Sequence, residues 1–162
     1  MQTSDKKIGF AVPDRESLEK INRLTLVYIA TSFFYLILGM ALGVGMLVTG
    51  NDNFLFTHVH LLLIGFVVFF IYGVAYKLLP TMFFGYPGLP HLRLAWVQYV
   101  LAHAGLLSMI LFYNILPVNF QTGTVLFISG ILEFTASLLF VFIMVSCITG
   151  RSRQDTCDRG DR

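Results

Sequence analysis

Four apolar runs, at 24–48, 54–76, 94–116 and 124–149, constrain this chain more than any other feature of its sequence. Each exceeds the roughly 20 residues that a helix needs to cross ~30 Å of hydrocarbon. The 162-residue chain is 56% hydrophobic with a mean hydropathy of +0.76, too apolar for an ordinary soluble domain. The runs also lack the polar face that a helix of a soluble bundle needs. We therefore predict an all-α membrane protein with four transmembrane helices, short loops and the lipid bilayer as its surroundings.

The polar segments divide the chain into three parts. Residues 1–23 form a polar leader with a short amphipathic helix near Asp14, and residues 24–149 form the four-span domain. Residues 150–162 carry four arginines and three aspartates and few apolar residues, which predicts a disordered tail. The first run is a retained span and not a signal peptide, because it is long and follows many charged residues. Cys147 and Cys157 indicate neither a disulfide nor a thiolate metal motif.

The positive residues lie in the leader, the 77–93 segment and the tail, whereas the turns at 49–53 and 114–122 have none. The positive-inside rule then places both termini in the cytoplasm. We expect a bacterial inner membrane protein with no nucleic-acid partner.

Two histidines, His58 and His60, stand one residue apart near the start of the second run. Ionisable side chains within a span usually mark a functional site. Residues i and i+2 of an α-helix are about 200° apart, so the two imidazoles should face opposite sides and serve two sites. The alternative is that both lie at head-group depth and hydrogen-bond lipid or water.

The sequence His58-Val59-His60, with Gly65 and then 76–80 (YKLLP), resembles the tenth helix of subunit I in the haem–copper oxidase superfamily. The C-type cytochrome oxidases and nitric oxide reductases are the most similar branches. The resemblance implies an oxidase-like helix bundle with haem b as cofactor. By position, His58 would hold the high-spin haem and His60 the low-spin haem.

The faces below the two histidines suit a porphyrin, although they would also suit ordinary helix packing. Gly65 would leave room for a flat macrocycle and Phe69 would offer an edge to it. The two faces are Leu62, Gly65, Phe69 and Tyr72 below His58, and Ile64, Val67 and Ile71 below His60.

Two further ionisable residues lie deep within their runs, His103 in the third and Glu133 in the fourth. An unpaired carboxylate at that depth would be costly. A His103–Glu133 hydrogen bond is therefore favoured over haem ligation by His103, and both readings stay open. Gly39 and Gly43 form a G-x-x-x-G ridge, for which packing within the chain is favoured over a contact between copies.

The chain also departs from the family. It corresponds to only the last four spans of subunit I, and it lacks the copper-site histidines and the arginine pair that holds the haem propionates. A complete oxidase on one chain is therefore not expected. A closed homo-oligomer, a trimer in preference to a dimer, would bring several His-Val-His motifs together.

These observations lead to two function hypotheses. The first is a membrane haem b protein for electron transfer, supplied by a respiratory electron donor, or for binding a diatomic gas such as O2 or NO. The second is a cofactor-free accessory or assembly subunit of a respiratory oxidase complex.

The charge distribution yields a topology prediction. A cysteine introduced at Asn51 should react with an impermeant thiol reagent added outside the cell, and native Cys157 should not, because positive residues stay on the cytoplasmic side. Lysed cells are the control, since both cysteines should then be labelled. Labelling of Cys157 alone in intact cells would show the inverted orientation.

Overall fold

The computed structural model describes residues 15–84, 89, 91–115 and 120–160, and these are helical apart from short turns. No strand occurs in these ranges. The elements are α1 (Arg15–Thr49), α2 (Leu55–His60), a π-helical segment (Leu61–Val68), α3 (Phe69–Phe84), α4 (Leu92–Ile115) and α5 (Phe120–Gly160). α2, the π-helical segment and α3 follow one another without a break and together form the second span.

Four helices in the described part of the chain are long and apolar enough to cross a membrane: Arg15–Thr49, Leu55–Met82, Leu92–Asn114 and Gly123–Cys147. The predicted all-helical fold with four candidate spans is thus confirmed, and it indicates an integral membrane protein. The spans pack mainly as two hairpins, α1 with the second span and α4 with α5; the second span also contacts α4 and α5, and α1 contacts α4.

The ends of the helices differ from the predicted ones. Within the described residues no separate amphipathic helix precedes the first span, because α1 runs unbroken from Arg15 and is stabilised at its start by an exposed Lys20–Glu16 ion pair. Asp14 lies outside the described residues. The backbone of α5 continues to Gly160, into the segment for which we predict disorder; no proline follows Gly150 there to end a helix.

Pro80 does not close the second span, although the apolar run of the sequence ends before it, at Tyr76. It lies inside α3, fully buried, and the helix continues to Phe84. A proline within a helix removes one backbone hydrogen bond and usually bends the helix. The Thr81 hydroxyl donates to the Lys77 carbonyl at 2.6 Å and so adds a local hydrogen bond beside the proline.

The π-helical segment changes which residues of the second span are buried. A π-helix has i→i+5 hydrogen bonds and therefore a wider turn than an α-helix. Thr57, Leu61, Gly65 and Phe69 are all buried and recur every fourth residue, whereas an α-helix repeats every 3.6. His58 and Leu62, which we place on one face with Gly65 and Phe69, are therefore only half-buried.

Glycines let α1 approach the second span closely. An added Cβ at Gly39 would lie 2.7 Å from Leu62 Cδ2, and one at Gly43 would lie 2.7 Å from His58 Cε1. The G-x-x-x-G ridge therefore packs within the chain, as favoured, and does not offer a surface to a second copy. Gly65 of the second span allows the same close approach, because an added Cβ there would lie 2.7 Å from Cγ of Tyr35 in α1.

This close packing gives a stability prediction. Gly65→Ala should lower the free energy of unfolding by about 1–3 kcal/mol, because the new methyl group would force the buried Tyr35 ring out of its position. The measurement is thermal unfolding in mild detergent, followed by circular dichroism.

Gly45→Ala is the matched control, because an added Cβ there meets nothing within 4 Å. It should leave the stability unchanged or raise it by about 0.5–1 kcal/mol, since alanine is the better helix former. Equal losses in both variants would contradict the packing described for Gly65.

Candidate functional site

His58 is held against α1 by a hydrogen bond to backbone. Its Nδ1 lies 2.7 Å from the carbonyl oxygen of Gly39, and its ring lies over Gly43. A carbonyl oxygen only accepts, so Nδ1 carries the proton of this hydrogen bond. The Nε2 atom of a neutral His58 then keeps its lone pair.

His60 is held in a similar way, but by its own helix. Its Nδ1 lies 2.8 Å from the carbonyl oxygen of Phe56, and its ring stacks on the Phe56 ring with the centroids 3.9 Å apart. Phe56 stacks in turn on Tyr113 of α4, also at 3.9 Å. The two imidazoles thus contact different neighbours, α1 for His58 and the Phe56–Tyr113 stack for His60, as their separation along the helix predicts.

A short polar contact joins the second span to α4 near the histidines. The side-chain amide of Asn114 donates to the Thr57 hydroxyl and to the Ile110 carbonyl. Thr57 is buried, so this contact fixes the start of α2, one residue before His58, against the end of α4.

Gly65 and Phe69, which we predict as part of a cofactor pocket, lie in an aromatic core instead of beside an open space. The Tyr35 ring covers Gly65. Phe69 is fully buried, with ring centroids 5.7 Å from Tyr35 and 5.6 Å from His103. Within this chain, side chains thus take the place that we predict for a macrocycle at Gly65.

His103 has a tyrosine as its partner and not Glu133. Its Nε2 lies 2.9 Å from the Tyr35 hydroxyl, and its ring is flanked by Tyr35, Phe69 and Tyr99. The predicted His103–Glu133 pair is therefore wrong. His103 lies on α4 and Glu133 on α5, but the His103 side chain faces α1 and contacts Tyr35 there.

Glu133 packs against a glycine of α4. An added Cβ at Gly105 would lie 3.0 Å from Glu133 Cγ and 3.1 Å from its Oε1. This Oε1 is buried and has no hydrogen-bond partner among the described residues. The carboxyl group is thus inside the bundle, with one oxygen unsatisfied by the protein.

A further polar cluster was not predicted. Gln98 of α4 is fully buried, and its Oε1 accepts hydrogen bonds from the hydroxyls of Tyr28 and Tyr76. Its Nε2 and the Thr25 hydroxyl are buried without a partner in the described part of the chain. A glutamine inside an apolar run is itself a signal, which a search for histidines and acids overlooks.

No group of three or more His, Cys, Asp and Glu side chains that could hold a metal ion is formed within residues 15–82, 91–114 and 123–147. A haem iron needs only one or two protein ligands, so this finding does not bear on haem. Comparisons with protein-family models, curated proteins and solved structures found no match to the chain. The resemblance to haem–copper oxidases therefore stays a prediction from the His-Val-His helix.

Proposed function

We propose that the protein binds haem b in the membrane through His58, His60 or both, and that it transfers electrons or binds a diatomic gas. One observation carries this proposal. Both imidazoles donate a hydrogen bond from Nδ1–H to a backbone carbonyl, Gly39 for His58 and Phe56 for His60, so each neutral ring keeps the Nε2 lone pair with which it could bind iron. Histidines that bind metal almost always donate their other ring N–H in this manner, because that bond fixes the tautomer and the ring orientation.

The side of the second span below His60 offers the better fit to a large flat group. Val67 is 40% exposed and Ile71 51% exposed, and Ile64 is half-buried, so an apolar wall faces outward from the bundle. On the side of His58, Gly43 makes room for the imidazole itself, but Tyr35 already covers Gly65. His103 is assigned no ligand role, since its ring is enclosed by aromatic side chains and bonded to Tyr35.

A haem b held by His58, His60 or both would supply one-electron transfer or the binding of a diatomic gas. The protein residues orient the ligands: Gly39 and Phe56 through their carbonyls, and Phe56 and Tyr113 through ring stacking. An exposed wall below His60 favours a homo-oligomer in which a second copy encloses this side. The proposal includes a bacterial inner membrane, cytoplasmic termini and a respiratory electron donor.

The second candidate, a cofactor-free accessory or assembly subunit, is favoured by one specific observation. The Tyr35 ring lies so close to Gly65 that this part of the second span is a packing surface. A Soret absorption band in protein purified from haem-replete cells supports the haem protein. Purified protein that neither carries haem nor binds added haem would instead support the accessory or assembly role.

The two histidines can be tested separately. His58→Ala and His60→Ala should each change the haem spectrum, and in different ways, because the two imidazoles contact different neighbours. The readout is the reduced-minus-oxidised absorption spectrum, with haem content measured per chain. His91→Ala is the matched control, since His91 is exposed and lies immediately before α4. Identical and complete loss in both variants would indicate one shared site and contradict two separate ones.

The oligomeric state gives another prediction. Native mass spectrometry in mild detergent should show a homo-oligomer, a trimer in preference to a dimer, with haem lost when the copies separate. The physical reason is that His60 lies beside an outward-facing wall, where a second copy would shield a bound haem. Val67→Trp should weaken the assembly, and Leu47→Trp, at an exposed position of α1, is the control. A monomer with its full haem content would contradict the shared site.

A further inference from the structure

Polar side chains occur at successive heights in the interior of the bundle, and the haem proposal uses none of them. Along α4 they begin with Gln98 and end with Ser108. Ten residues at 1.5 Å each span about 15 Å, about half of the ~30 Å hydrocarbon thickness. Every other span contributes partners to them: α1, the second span and α5. The pattern follows the bundle axis and is not confined to one end.

The first group surrounds Gln98. This side chain is 0% exposed, is bonded to Tyr28 and Tyr76, and keeps an unpartnered Nε2 donor. The Thr25 hydroxyl, one helical turn before Tyr28, is buried and also unpartnered in the described structure. A buried amide donor and a buried hydroxyl are the kind of polar partners that hold an internal water molecule.

The next group contains Tyr99, the residue after Gln98, and His103, four residues further along α4. The Tyr99 hydroxyl is 2.9 Å from the Thr31 hydroxyl, and the His103 ring is bonded to the Tyr35 hydroxyl. Each of these hydroxyl groups can both donate and accept a hydrogen bond. Groups of that kind can pass a proton along by exchanging one hydrogen bond for another.

Glu133 comes next, in the middle of the fourth span. Its Oε1 is buried without a partner, beside Gly105. On the same helix the Ser137 hydroxyl contacts the Tyr72 hydroxyl at 2.9 Å, and towards the other end Ser108 and Ser129 are 2.7 Å apart. Glu133 is thus a carboxyl group with hydroxyl pairs on either side of it along the span.

A role in helix packing alone does not account for Glu133. An apolar residue of similar size would fill the same space beside Gly105 without burying an unsatisfied oxygen. Acidic side chains inside membrane spans are rare and characteristically belong to ion pathways or proton relays. The polar groups in this interior are hydroxyls, an imidazole and an amide, which suit a proton and water better than a bulky solute.

We propose that the interior of this bundle conducts protons across the membrane, with Glu133 as the group that takes up and releases them. The Glu133 carboxylate accepts a proton through a water molecule from one side and, as the neutral acid, gives a proton to a water molecule leading to the other side. One O–H bond forms and one breaks in each passage, and no electron is transferred.

The test uses the full chain reconstituted in phosphatidylcholine vesicles that contain an impermeant pH-sensitive dye. A potassium diffusion potential set with valinomycin drives protons inward, and the initial rate of internal acidification is measured. Wild-type vesicles should acidify faster than protein-free vesicles, and Glu133→Gln should reduce the rate to the protein-free value. Glu19→Gln is the matched control, because Glu19 is exposed near the start of α1 and should leave the rate unchanged.

A second variant covers the case in which Glu133→Gln does not fold. Tyr35→Phe removes one hydroxyl from the His103 contact, and it should slow acidification while circular dichroism stays that of the wild type. Wild-type vesicles no faster than protein-free ones would overturn the proposal, and so would a folded Glu133→Gln that acidifies at the wild-type rate. The assay needs no haem, so its result is separate from that of the haem spectrum.

Discussion

The close approach of α1 to the second span determines most of what surrounds the histidines. Gly39 has no side chain, so Leu62 packs against its backbone and the His58 ring reaches its carbonyl oxygen. Gly65 accepts the Tyr35 ring in return. Without these glycines the helices would lie farther apart, and both the imidazole and the phenol would lose their positions. Packing between helices in lipid depends on such small residues, because burial of apolar side chains gives little advantage there.

The contact between Tyr35 and Gly65 also connects α1 and the second span to α4. Tyr35 packs on Gly65 with its ring and bonds His103 of α4 with its hydroxyl. The orientation of His103, and hence its lack of contact with Glu133, follows from the position of α1. The position of Tyr35 on α1 thus decides that His103 contacts Tyr35 and not Glu133.

The sequence predicted the four spans because membrane crossing depends on the length and composition of an apolar run. It also predicted that His58 and His60 face different neighbours, since angular separation within one helix follows from counting residues. It did not predict the π-helical segment, which depends on local hydrogen-bond register, or the burial of Pro80 inside a continuing helix. The partner of His103 was also missed, because depth along a span can be counted but lateral neighbours depend on how helices pack.

The π-helical segment at Leu61–Val68 has a consequence for the His-Val-His motif that follows from its hydrogen-bond register. It holds one residue more per turn than the α-helices on either side. A change of this segment to i→i+4 bonding would rotate α2 relative to α3, and both imidazoles would turn together. His58 would then lose its contacts with Gly39 and Gly43 of α1. The direction in which this chain presents its histidines is therefore set jointly by the backbone register of these eight residues and by the packing of α2 on α1 and α4.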